Sequence, residues 1–364
     1  MKKNKILTVL VLFALLIMVS CGKSNSRVSK DENLLDESQN DSDVKNVIES
    51  TDENYEEDME DDANKVVSSL DGLKYYQEDL QRRPVAVSID NHPKARWQAG
   101  LGQAEIIYEC EVEFPYTRYL CIFLAREPKL VGPVRSARPY LINYALENDG
   151  IFVHVGGSQD AFNEIARLSA PDIDGLYSGA MWRYYDTGKY APHNMYTTLK
   201  SIRDEAERKG YRTDAKFEGY KFNEKSLDLS KKYKDVKKAQ KISITYNSYN
   251  TTEYKYDNDK KSYLRWKDGE KHIDELDGKQ IEAKNILILE TSKQILDNEG
   301  RLFIGTVGSG KGTYITNGES VEITWNKESE KSRTKFYIEK NELELNPGNT
   351  WIQVVSNAKG INIE

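Results

Sequence analysis

Ala104-Glu105-Ile106-Ile107-Tyr108-Glu109-Cys110-Glu111-Val112-Glu113-Phe114-Pro115-Tyr116-Thr117-Arg118-Tyr119-Leu120-Cys121-Ile122-Phe123-Leu124-Ala125 is the stretch whose reading decides the fold. Two runs rich in β-branched and aromatic residues flank Phe114-Pro115-Tyr116, so the stretch spells a β-hairpin. With Pro115-Tyr116 as a two-residue turn, Tyr108 faces Phe123, Cys110 faces Cys121 and Val112 faces Tyr119 on one side. Glu109, Glu111 and Glu113 take the other side, with Glu113 opposite Arg118. That register predicts a half-buried sheet with one apolar and one charged face. It also makes the two cysteines neighbours. Two free buried thiols are expected rather than a disulfide, because directly opposed strand pairs seldom meet the bridge geometry and a one-residue slip would separate them.

Upstream, Pro84 to Asp90 reads as a strand that ends in a carboxylate and is broken by Asn91-His92-Pro93. Downstream, Val131-Gly132-Pro133-Val134-Arg135-Ser136-Ala137-Arg138-Pro139-Tyr140 turns at Gly132-Pro133 and enters a helix expected over 136–147, with Ser136 as N-cap and Pro139 in the first turn. Orphan N–H groups at a helix start, flanked by Arg135 and Arg138, suit an anion. The competing reading ties both arginines to carboxylates of the same domain. Ile151 to Val155 reads as a buried strand, and Gly156-Gly157-Ser158 leads into a helix over 159–168 capped by Ser158. Tyr177 to Tyr190 is aromatic and basic, with Trp182, Arg183, Tyr184 and Tyr185; aromatic planes beside arginines suit sugar rings or an acyl-peptide stem. Asn194 is the expected N-cap of a helix over 195–209 that stops at Gly210.

The remainder is strand-rich. Strands are expected at 241–247, 252–256, 262–267, 285–290, 312–316, 320–325, 335–339 and 350–355, with hairpin turns at Asp268-Gly269 and Asn317-Gly318. Gly305 to Thr313 mimics a phosphate-binding loop, but Gly312 stands where a metal-ligating Ser or Thr belongs and a strand follows, so a hairpin loop is the better reading.

The N-terminus is an address. Lys2, Lys3 and Lys5 precede the apolar run Ile6 to Val19, which ends in Leu16-Ile17-Met18-Val19-Ser20-Cys21-Gly22. A small residue before a cysteine at that point is the pattern of a bacterial lipoprotein signal, cleaved before a Cys21 that then carries lipid. Residues 31–62 hold fifteen Asp or Glu and one Lys. Such a run cannot bury a core and is expected as a disordered tether. The chain as a whole is at −7. The tether carries that charge, which leaves the body close to neutral and without a nucleic-acid footprint. The four histidines, His92, His154, His193 and His272, show no paired spacing, so neither a metal nor a cofactor is expected. His154, on an apolar strand, has the character of a satisfied core residue.

Several long words resemble the YerB-like lipoproteins, a two-domain family of unassigned activity. They are Arg83 to Val87, Asp90-Asn91-His92-Pro93, Gly132 to Tyr140, Gly156-Gly157-Ser158 and Ala191-Pro192-His193-Asn194, then Tyr314 to Gly318 and Leu345 to Val355. The resemblance implies an α+β chain: a mixed-sheet N-terminal domain with helices, then a smaller β-rich C-terminal domain. The expected division is a signal peptide at 1–20, a tether at 21–70, the N-terminal domain at 71–225, a lysine-rich linker at 226–240 and the C-terminal domain at 241–364. The expectation is a lipid-anchored protein on the extracellular face of the cytoplasmic membrane. It would bind an anionic wall or membrane component, or an envelope protein, through Asp90, Glu109, Glu113, Arg118, Arg135, Ser136, Arg138, His154, Arg183, His193 and Asn194. One rival is an envelope enzyme acting on wall glycan or phosphate groups with Asp90 or Glu113 as base. The other is a structural scaffold whose arginines only satisfy buried carboxylates.

Overall fold

Strands β1 (Val85–Asp90), β2 (Ile106–Glu111) and β3 (Thr117–Phe123) lie side by side, with β3 in the middle, in a computed structural model that describes residues 64–356 and 358–364. The signal sequence, Cys21 and the acidic run lie outside the described residues. β2 and β3 form the expected hairpin, but in another register: Tyr108 faces Leu120 and Cys110 faces Arg118. The turn is longer than two residues. The Tyr116 amide donates to the Glu113 carbonyl at 3.0 Å, and the Val112 amide donates to the Tyr116 carbonyl at 3.0 Å. The ladder is therefore displaced by an odd number of positions, which exchanges the faces. Cys110 packs into the cluster on one face of the sheet and Cys121 into the cluster on the other. Both thiols are free and buried, and burial pushes both thiol pKa values up.

The charged face does not meet solvent either. Every residue of β2 and β3 is buried. One face is covered by helix α1 (Pro139–Glu147), whose Tyr140, Leu141, Tyr144 and Ala145 pack on Tyr108, Leu120 and Ile122. Helix α2 (Gln159–Leu168) lies beside α1. The other face is covered by helix α3 (Leu199–Arg208) and a second sheet. With both faces covered, the glutamates that alternate along β2 are paired with cations rather than solvated.

Helix starts test the local reading. Pro139 is at the first helical position, as expected, but Ser136 is not the cap: Arg138 precedes the helix, without a side-chain cap bond. Ser158 does cap α2, its hydroxyl accepting from the Ala161 amide at 3.2 Å. α3 begins later than expected. Met195–Thr197 pairs as a strand with Met181–Arg183, and Thr198, not Asn194, accepts from the Ser201 amide at 3.1 Å.

β4 (Ile151–His154) and β5 (Asp172–Asp174) extend the sheet beyond β1 in parallel. The C-terminal half supplies β6 (Lys241–Asn247), β7 (Asn250–Asp257), β8 (Ser262–Lys267), β9 (Asn285–Glu290), β10 (Gly308–Thr316), β11 (Glu319–Lys327), β12 (Lys335–Ile338) and β13 (Thr350–Val355). Among the described residues the main sheet has twelve strands. Its order is Asn341–Glu342, β12, β11, β10, β9, β13, β2, β3, β1, β4, β5, with Lys237–Lys238 also on β11. β13 runs parallel to both neighbours, from Thr350 opposite Ile106 to Val354 opposite Cys110, so the two halves share one sheet. β6, β7 and β8 form the second sheet as a meander, with Ile242, Ile244 and Tyr246 turned into the shared core. The turns Asp268-Gly269 and Asn317-Gly318 have positive φ at both residues, 50° and 86°, then 50° and 76°, as tight hairpins require. The glycine-rich run enters β10 as a strand. A Cβ at Gly310 would stand 2.5 Å from Trp325 Nε1, and one at Gly312 2.4 Å from the Ile288 carbonyl, so close packing explains those glycines.

Candidate functional site

The segment after Val131 threads between two strands. Val134 bridges Ile89, the Arg135 amide donates to the Ser88 carbonyl at 2.7 Å, and the Val155 amide donates to the Arg135 carbonyl at 3.0 Å. Backbone held from both sides leaves the Arg135 side chain to face the end of β1. There Asp90 is nearly buried. Its Oδ2 receives His193 Nδ1 at 2.7 Å, Arg135 Nε stands 3.4 Å from the same oxygen, and Oδ1 accepts from the His92 amide at 3.0 Å. Burial opposes ionisation of Asp90, but the His193 bond, Arg118 and Arg135 outweigh it and hold the carboxyl below the usual range.

Three guanidiniums meet two carboxylates here. Arg138 is fully engaged, gripping Glu113 through two bonds of 2.6 and 2.7 Å. Arg118 is buried and donates to the Ser136 carbonyl at 2.8 Å; its Nε has no partner among the described residues. Burial and the neighbouring Arg138 pull Arg118 down to about 10, so it remains charged at neutral pH. Among the described residues Arg135 keeps only the long contact to Asp90, and its side chain is 28 % exposed. The surplus positive charge of the cluster therefore surfaces at Arg135.

His92 completes the cluster. Its ring stacks on His193 with centroids 4.2 Å apart and leans on Tyr116 at 4.5 Å. The Lys94 amide donates to His92 Nδ1 at 3.0 Å, which leaves Nε2 to carry the proton. Burial, then His193, lowers the His92 pKa. No residue among those described bonds His193 Nε2. A histidine held by a buried carboxylate at one nitrogen and open at the other can take or give a proton.

Of the expected residues, the structure brings together Asp90, Glu113, Arg118, Arg135, Ser136, Arg138 and His193. Ser136 contributes its carbonyl, which accepts from Arg118 and from the Ser88 hydroxyl. Arg183 and Asn194 flank the cluster and bond each other at 3.2 Å. Glu113 is not opposite Arg118, and its bidentate grip on Arg138 removes it as a free base. Two residues lie elsewhere. His154 is fully buried, its nitrogens 2.9 Å from the Gly156 carbonyl and 3.2 Å from Asp172. Glu109 is sealed under the second sheet with Arg265, Lys267, Thr117 and Thr252. It is a structural ion-pair residue, because the second sheet covers the face on which it stands. Sequence reasoning missed His92 as a site residue. The signal was present in Asp90-Asn91-His92, a histidine two residues beyond a strand-end carboxylate.

Among the described residues no helix is long and apolar enough to cross a membrane, which says nothing of a β-barrel. Two family models match: the N-terminal domain of DUF3048, a protein of unknown function, over residues 70–212, and its C-terminal domain over residues 242–352. The Bacillus subtilis (strain 168) protein named "Putative lipoprotein YerB" is 36% identical over 310 residues, which are 83% of this chain and 90% of that protein. The crystal structure of YerB protein from Bacillus subtilis superposes with a TM-score of 0.74 at 34% identity, covering 82% of this chain and all of that one. With both domain models matched in order and a relative of that identity spanning most of its length, the chain belongs to the two-domain DUF3048 family, to which the YerB-like resemblance pointed.

Proposed function

We propose that this protein is a lipoprotein anchored through Cys21 to the outer face of the cytoplasmic membrane, and that it binds an anionic component of the envelope at Arg135. The signal pattern ending in Cys21 and the name of the Bacillus relative support the anchor. Acyl chains on that cysteine would keep the body within reach of wall and membrane polymers. The observation that carries the binding reading is the unequal use of three arginines. Arg138 is locked on Glu113 and Arg118 is buried, whereas Arg135 is partly exposed and loosely paired. An anion reaching Arg135 would gain a charge-assisted contact without first breaking a strong one. Calorimetric titration with phosphate-bearing wall fragments tests this. Wild type and Arg138→Ala should bind, while Arg135→Ala should lose most of the affinity. Equal binding by Arg135→Ala sinks the reading.

A second reading rests on the Asp90–His193 pair. The open Nε2 could act as general base on water attacking a wall ester or phosphate group, with Arg135 facing the charge that develops. It requires turnover of such fragments that is lost in a folded Asp90→Asn variant. Wall fragments left intact by the wild-type protein would end it.

A further inference from the structure

Exposed aromatic residues stand near each member of the histidine pair. On one side, the His193 amide donates to the Tyr190 carbonyl at 2.8 Å, and the Tyr190 ring lies 6.5 Å from that of Tyr185. On the other side His92 leans on Tyr116, at the same hairpin tip as Phe114, whose edge meets Tyr249 at 5.8 Å. Asn247 and Asn250 fix that end by donating to the Pro115 carbonyl at 3.1 and 3.3 Å. The outer rings are open to solvent: Tyr185 is 57% exposed, Tyr190 73%, Phe114 67% and Tyr249 70%. Two exposed aromatic pairs thus stand near the cluster of Asp90 and Arg135, one joined to His193 through the backbone and one at the hairpin tip beside His92.

Leaving four large aromatic side chains in water wastes burial unless something covers them. A protein partner would call for a broad apolar patch with a polar rim. Separate aromatic pairs beside a charged cluster instead fit an extended ligand with flat faces and acidic groups. The C–H faces of sugar rings lie on aromatic planes, and their hydroxyl edges reach polar side chains. We propose that the ligand is a linear acidic glycan, with its rings on these aromatic pairs and a carboxylate or phosphate group at Arg135. The proposal rests on the anion-binding reading above and specifies its ligand.

Full-length protein in an uncharged detergent without a sugar headgroup is titrated with a uronic-acid disaccharide, longer oligomers of that series, a neutral oligosaccharide of matched length, and polyphosphate. Affinity should rise with uronate length and exceed that for the other two probes. Tyr190→Ala/Tyr249→Ala, both at exposed positions, should cost about tenfold on the longest oligomer and remove the length dependence. Arg135→Ala should weaken every acidic probe. Length-independent affinity, or polyphosphate bound as tightly as the longest uronate, overturns the glycan and leaves the anion site. Length dependence that survives Arg135→Ala with unchanged affinity overturns the anion site and leaves a neutral-sugar surface. Absence of binding to any glycan overturns the proposal.

Discussion

Arg135 and Arg138 stand three positions apart on one segment and have opposite fates. Arg138→Ala strands Glu113 and should cost roughly 1.5–3 kcal/mol of stability, the range for hydrogen bonds to charged groups, measured by urea unfolding. Arg135→Ala removes only a contact of 3.4 Å on a partly exposed side chain and should leave the melting temperature almost unchanged. The site should also respond to pH. Facing His92 are His193, Asp90, Lys94 and Arg135, and burial with His193 holds its pKa below the ordinary value of 6.5. An anion beside His92 favours the charged imidazole, whose second proton displaces the Lys94 amide from Nδ1; binding then takes up a proton, and affinity should rise as pH falls below 6.5. His92→Asn keeps an acceptor for the Lys94 amide and should flatten that part of the pH profile; an unchanged profile would assign the titration elsewhere. Asp90 has the opposite linkage. Its folded pKa lies below the unfolded value, so its stabilisation is present above that value and is lost only as pH falls through the lower folded one.

At the scale of elements, the hairpin β2–β3 shows what the sequence could and could not tell. Its strands were legible from their composition, as were the strands 241–247, 262–267, 285–290 and 350–355 and the two Asx-Gly turns. Its register was not, because the turn closes through Glu113 and Tyr116 rather than through Pro115-Tyr116 alone. That displacement put the two cysteines on opposite faces, whereas the second sheet, also invisible to local pattern, buried Glu109. The same limit explains the helix starts. Ser136 has the chemistry of a cap, but its carbonyl is taken by Arg118, a residue of another strand that local pattern does not reveal. With Cys110 and Cys121 on opposite faces, a reducing agent should leave the melting temperature unchanged, and both thiols should resist labelling until the chain unfolds. A shift of the melting transition on reduction would contradict this register.

For the whole molecule, the unexpected feature is that β13 sits between β9 and β2, so the halves matched by separate family models share one sheet. Two buried ionic clusters tie the same halves together: Glu109 with Arg265 and Lys267, and Glu147 with Lys327 at 2.6 Å. Neither pairing could be read locally, since the partners are more than a hundred residues apart. Removing one member leaves a buried charge uncompensated. Glu109→Gln should therefore cost about 3–5 kcal/mol, and the body should still unfold in one cooperative transition by fluorescence and circular dichroism. Two separate transitions would show that the halves are independent. The charged cluster at Asp90 and Arg135 lies at the end of β1 within this shared sheet, and its surplus guanidinium is what the proposed function depends on. The most direct test is calorimetric titration of the protein and its Arg135→Ala variant with phosphate-bearing wall fragments at matched stability. The expected result is a loss of at least about tenfold in affinity with an unchanged melting temperature. Affinity that is the same in both proteins would contradict the account.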